Sequence, residues 1–108
     1  MAKRNVIWTS VASKQRLEIL KYWTVKNGST IYAEKLIYLI KDRVHTISKN
    51  PNAFKATTFS DVRVSALGHF SIYYKAIEME LIIVAFWDNR QDTKKLLERL
   101  NSPKGQFK

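Results

Sequence analysis

Arg63, Tyr73, Asp88 and Arg90 stand at strand-like spacings in the second half of this chain, and their types suit work on a phosphate. A guanidinium fixed on a rigid sheet grips a phosphate through two donors and stabilises the charge that builds during its cleavage. Metal-free cleavage of RNA also needs a base for the 2′-hydroxyl proton and an acid for the leaving 5′-oxygen. Tyr73 and Asp88 are the candidates, Asp88 acting as base if its surroundings raise its pKa, and Lys55 adds charge from the preceding segment. A second reading stays open beside this one: Arg90 pairs with Asp88, and Arg63 solvates an exposed strand. His69 falls in a turn and reads as a solvated turn residue rather than a catalyst.

Other chemistries lack their residues. The three glycines are scattered, so there is no phosphate-cradling loop. There is no cysteine, and the two histidines, His45 and His69, have no carboxylate at metal-ligand spacing, so neither a metal nor a cofactor is expected. No Ser-His-Asp grouping has support. Nineteen Lys and Arg against nine Asp and Glu give a net charge of +10, which attracts polyanions or an acidic protein. Lys94 and Lys95 therefore join Lys55, Arg63 and Arg90 as candidate nucleic-acid contacts. Trp8, Trp23 and Trp87 read as core or interface residues, with Trp87 nearest the basic face. The absence of cysteine suits a reducing cytoplasm, and no stretch approaches the ~20 apolar residues of a membrane span, so export and membrane insertion are not expected.

These residues need a sheet to hold them. The 108 residues make one domain, 1–108. Asn5 to Trp8 is a short apolar run that reads as a strand. Thr9 or Ser10 caps a helix from Val11 to Lys26, whose apolar face is Leu17, Ile19, Leu20 and Trp23, with Lys14, Gln15, Lys21 and Lys26 opposite. Asn27-Gly28 stops it, and a second helix follows from Ile31 to Ser48 with the stripe Ala33, Leu36, Ile40, Val44 and Ile47, ended by Asn50-Pro51. Ala53 to Ser60 is a loop or irregular strand anchored by Phe54 and Phe59. Asp61 to Arg90 is an antiparallel three-strand meander. A three-residue Leu67-Gly68-His69 loop pairs Val64 with Ile72 and sets Arg63 across from Tyr73. A turn at Glu78-Met79 then leaves Val84, Phe86, Asp88 and Arg90 on the Arg63 side, an apolar patch that the C-terminal helix or a partner must cover. Asp92 or Thr93 caps that helix, which runs to about Asn101 with Leu96, Leu97 and Leu100 as its apolar face. The expected class is α+β in two layers: short N-terminal strand, helical hairpin, antiparallel meander, short C-terminal helix.

Phe70-Ser71-Ile72-Tyr73-Tyr74, the strand end Ala85-Phe86-Trp87 and the following Asp88-Asn89-Arg90-Gln91-Asp92 resemble the RelE/ParE superfamily of bacterial toxins, and the order of elements is similar over nearly the whole chain. The resemblance implies the toxin of a type II toxin–antitoxin pair, neutralised by an acidic antitoxin whose poorly ordered segment folds along the toxin surface. It implies either an mRNA interferase, a ribosome-dependent endoribonuclease whose basic sheet face surrounds the scissile phosphate, or a poison of DNA gyrase; an inactive relative that only binds is a third reading. Convergence of Arg63, Arg90, Tyr73 and Asp88 on one face favours mRNA cleavage on the ribosome. Many relatives carry a histidine where this chain has Asp88, so their acid–base chemistry does not transfer simply.

Overall fold

A computed structural model describes residues 4–91 and 94–96. Asn5–Trp8 forms β1, and Thr9 then turns the chain into α1, Ser10–Asn27, by accepting the Ala12 amide on its hydroxyl at 3.1 Å. Gly28 ends α1 in the left-handed conformation (φ 63°), where its lack of a Cβ removes the steric penalty. The second helix, α2, spans Ile31–Lys49 and buries Ala33, Leu36, Ile40, Val44 and Ile47, the stripe expected from the sequence. A short 3₁₀ turn at Pro51–Ala53 leads to β2 (Lys55–Ala56), followed by β3 (Arg63–Leu67), β4 (Phe70–Ile77) and β5 (Glu80–Asp88). The five strands order as β1-β5-β4-β3-β2, with β1 parallel to β5 and the other pairs antiparallel. Lys55–Ala56, within the segment expected as loop or irregular strand, supplies the second edge.

Central position explains why β5 is apolar on both faces: every residue from Leu81 to Asp88 is buried. On one face Ile83 and Phe86 join Phe70, Ile72 and Tyr74 of β4 and Leu67 of β3 beneath the two helices, with Phe70 and Phe86 stacked at 5.4 Å. On the other face Ile82, Val84, Ala85 and Trp87 pack with Val62, Leu96, Phe59 and Tyr73. Residues 94–96 form a helical turn, and Leu96, 2% exposed, covers this second face. The expected caps Asp92 and Thr93 and the apolar positions Leu97 and Leu100 lie outside the described residues.

Three expectations are corrected here. The β3–β4 loop has two residues, Gly68 and His69, because Leu67 pairs with Phe70 and Gly68 alone takes a positive φ (62°). Ser65 therefore opposes Ile72, Val64 opposes Tyr73 and Arg63 opposes Tyr74, and the single-residue shift moves every β3 side chain to the other face. The turn at Glu78-Met79 forms as expected, with Tyr74 opposite Ile83, but β5 then bulges at Val84. Past the bulge Ile72 opposes Phe86 and Phe70 opposes Asp88, so Phe86 and Asp88 face the helices while Val84 does not. Lastly, α1 buries Ala12, Gln15 and Ile19, whereas Leu17 is 52% exposed.

Candidate functional site

The residues expected on one face occupy three places. Asp88 and Arg90 form a corner against α1. Arg63 lies under the same helix-bearing face, but its row (Arg63, Tyr74, Ile83) is four residues along the strands from the row of Leu67, Phe70 and Asp88, or about 13 Å at the usual strand rise. Tyr73 is on the opposite face, as is Lys55, which pairs with Val64. Lys94 and Lys95 are exposed on the turn that places Leu96 against that opposite face.

The corner is built by an interruption of the sheet. Strand β1 ends at Trp8, opposite Ile83, and leaves the outer edge of β5 without a strand partner from Val84 onward. The start of α1 supplies the missing bonds. Thr9 donates its amide to the Ile83 carbonyl (3.0 Å) and its hydroxyl to the Val84 carbonyl (3.4 Å), and the Phe86 amide donates to Gln15 Oε1 at 2.9 Å. Gln15 is 4% exposed, and its Nε2 has no partner among the described residues. By sequence pattern Gln15 falls with Lys14, Lys21 and Lys26 on the solvent side of α1, whereas the fold buries it. The signal that finds it is its spacing with Ala12 and Ile19, three and four residues away on one helical face.

At the end of β5 the Asp88 carboxylate, 4% exposed, accepts from Arg90 Nε (3.0 Å) and Nη2 (2.6 Å) and from the Arg90 amide (3.0 Å). These bonds, above all those from the guanidinium, hold the Asp88 carboxyl below the usual carboxylate range against the opposing effect of burial. Arg90 in turn lies over the ring of Trp23 at 4.8 Å and that of Tyr22 at 5.8 Å, with Lys26 over the same two rings. A cavity of about 360 Å³ opens between Gln15, Glu18, Ile19 and Tyr22 of α1 and Phe86, Trp87, Asp88, Arg90 and Gln91 at and beyond the end of β5. Of the two readings of Arg90, its pairing with Asp88 is therefore the one found. Asp88 is ionised but engaged, and it is shifted away from the neutral range a general base needs. Burial also pushes the Tyr73 phenol up, and Tyr73 lies across the sheet. The expected convergence of Arg63, Tyr73, Asp88 and Arg90 is absent, because the two-residue loop and the bulge each turn one strand's faces over. The corner presents a half-exposed guanidinium braced by a carboxylate on an aromatic shelf.

Arg63 sits at the far end, where its Nη1 donates to the Phe54 carbonyl at 2.7 Å. It lies close enough to Tyr74 to offset part of the burial that raises that phenol to about 12. The exposed apolar residues are also placed differently from expectation. Val84 and Phe86 are buried, while Leu17, Ile37, Val6 and Ile7 are 39–52% exposed along the helical hairpin and β1. A groove of about 540 Å³ runs between α1 and α2 over Leu17, Leu20 and Ile37, flanked by Arg16 and Lys41.

No group of three or more His, Cys, Asp or Glu that could hold a metal ion occurs among the described residues. In the same residues no helix is long and apolar enough to cross a membrane.

No curated protein is similar enough in sequence to count as a match. Among solved structures, a chain of the chromosomal ParDE TA system from P. aeruginosa is similar in fold, with a TM-score of 0.67 at 22% identity; the match covers 78% of this chain and 94% of that one. The family model described as ParE toxin of type II toxin-antitoxin system, parDE, matches residues 6–93. The chain thus belongs to the ParE toxin family of the parDE type II toxin–antitoxin systems.

Proposed function

We propose that this toxin arrests growth by binding and poisoning DNA gyrase in the cytoplasm, and that it does not cut mRNA on the ribosome. The observation that carries the reading is the separation of the residues that RNA cleavage would need together. Arg63 is about 13 Å from the Asp88 row by strand geometry, Tyr73 is on the other face, and Asp88 is tied to Arg90 with a lowered pKa. Membership in the ParE family supports the same choice, since the gyrase-directed toxins are its ParE branch. A binding poison needs a shaped surface with fixed charges, and the Arg90 corner has that form.

The cognate antitoxin is the second partner. A net charge of +10 favours an acidic one. The groove between α1 and α2, apolar along Leu17 and Ile37 and edged by Arg16 and Lys41, suits an acidic amphipathic segment of that antitoxin. Expression of the toxin alone in bacteria tests the activity. The expected result is growth arrest with linearised DNA and a DNA-damage response. Sharp new mRNA 5′ ends without DNA breaks would instead restore the ribosomal reading.

A further inference from the structure

A second cavity, of about 530 Å³, lies at the opposite end of the sheet from the Arg90 corner. Its walls are the 57–63 segment, Asn52, and the β4 residues Tyr74 and Ala76. Arg63 is partly buried there. One of its nitrogens is spent on the Phe54 carbonyl, and no carboxylate among the described residues forms an ion pair with the Arg63 guanidinium. A guanidinium has five N–H donors. A partly desolvated one with a single carbonyl partner and no counter-ion is set to receive an oxyanion.

The surrounding groups narrow what carries that oxyanion. Asn52, Thr58 and Ser60, all exposed, and the partly buried Phe59, which also packs against the core containing Val62 and Trp87, line the same cavity. Asp61 also lines it and stands at φ 64°, a conformation that Asp tolerates better than most residues. Its carboxylate repels a bare phosphate but accepts from hydroxyl or amino groups, so the cavity fits a ligand with an anionic end and a donor-bearing body. The wall is shaped in advance: Thr57 Oγ1 donates to the Val62 carbonyl at 2.8 Å and accepts the Phe59 amide at 3.1 Å, folding residues 57–62 back on themselves. A preformed wall reduces the ordering cost of binding.

We propose that this cavity binds a single nucleotide unit, with Arg63 on the phosphate, Thr58 and Ser60 donating to its oxygens, Phe59 against the base and Asp61 accepting from ribose hydroxyls or a base amine. The cavity lies within the usual size range for small-ligand sites. The unit is either a free nucleotide or one residue of a single strand. This site is separate from the corner assigned to gyrase, and it stands whether or not gyrase is the target.

The test is calorimetric titration of the purified protein with AMP, with adenosine and with an eight-residue single-stranded oligoadenylate. Wild type is compared with Arg63→Gln and Ser60→Asp. Ser60 is exposed, so S60D adds a repelling charge without touching the core, and melting curves confirm that both variants are folded. The expected result is that AMP or the oligonucleotide binds, adenosine binds at least tenfold more weakly than AMP, and each substitution weakens binding at least tenfold. AMP binding without the oligonucleotide assigns the site to free nucleotides; oligonucleotide binding that is lost in both variants assigns it to a strand. The proposal is overturned if neither ligand binds, if AMP and adenosine bind alike, or if folded S60D binds as wild type does. Binding insensitive to both substitutions would place the ligand elsewhere on the basic surface and also overturn it.

Discussion

Tyr73 and Tyr74 are neighbours in sequence and opposites in role, and removing one hydroxyl from each tests the register directly. Tyr74 is fully buried, packs edge-on to Phe54 at 6.4 Å, and donates its hydroxyl to the buried Pro51 carbonyl at 2.5 Å. Tyr74→Phe keeps the ring and leaves that carbonyl without its donor. The cost of losing such a bond, less the relief of no longer burying the hydroxyl, is about 1–2 kcal/mol. For a domain of this size that corresponds to a fall in Tm of roughly 4–10 °C. Tyr73 makes no hydrogen bond among the described residues, so Tyr73→Phe should change stability by less than about 0.5 kcal/mol. Urea unfolding of the two variants beside wild type, followed by tryptophan fluorescence, reads both numbers. Equal losses, or a Tyr74→Phe protein as stable as wild type, would refute the claim that Tyr74 ties β4 to the end of α2.

The same phenols set an alkaline limit. With the Tyr74 pKa raised to about 12 and that of Tyr73 also raised, their contribution is full below the ordinary tyrosine pKa near 10 and is lost as pH rises from there through 12, so stability should fall over that window and Tyr74→Phe should flatten it. On the acid side the sign reverses: the lowered pKa of Asp88 gives stability that is present above about pH 4 and lost as pH falls through the folded value, and Asp88→Asn should remove that part of the acid transition in a denaturant series run against pH. In the groove, Leu17→Glu and Ile37→Glu should leave the melting temperature unchanged, because both side chains are exposed, yet weaken antitoxin binding by at least tenfold in a titration. Core truncation at Ile72→Ala, where the side chain is fully buried, should cost about 2–5 kcal/mol by chemical denaturation.

Much of the architecture was legible in the residues themselves. The Thr9 cap, the Gly28 stop, the Asn50-Pro51 break and the α2 stripe each follow from local chemistry, and each is found where the sequence places it. The site was less legible because side-chain facing depends on a count of residues in a turn. Reading Leu67 as loop rather than strand is an error of one residue, and in a sheet with period two it reverses a whole face. The bulge at Val84 leaves no mark in an all-apolar run such as Leu81 to Trp87, where alternation carries no information because both faces are buried. Gln15 was hidden for another reason: a polar residue in a buried stripe is explained only by the Phe86 amide, seventy-one residues away in the chain. The pairing of Asp88 with Arg90, by contrast, was visible as two opposite charges beside each other at the end of a strand.

The most direct measurement of the central claim is a supercoiling assay with purified gyrase, relaxed plasmid and ATP, run beside a ribosome–mRNA cleavage assay on the same preparation of toxin. Loss of supercoiling with accumulation of linear plasmid, reversed by the cognate antitoxin and accompanied by intact mRNA, is the predicted result. Unimpaired gyrase together with new mRNA 5′ ends would contradict it.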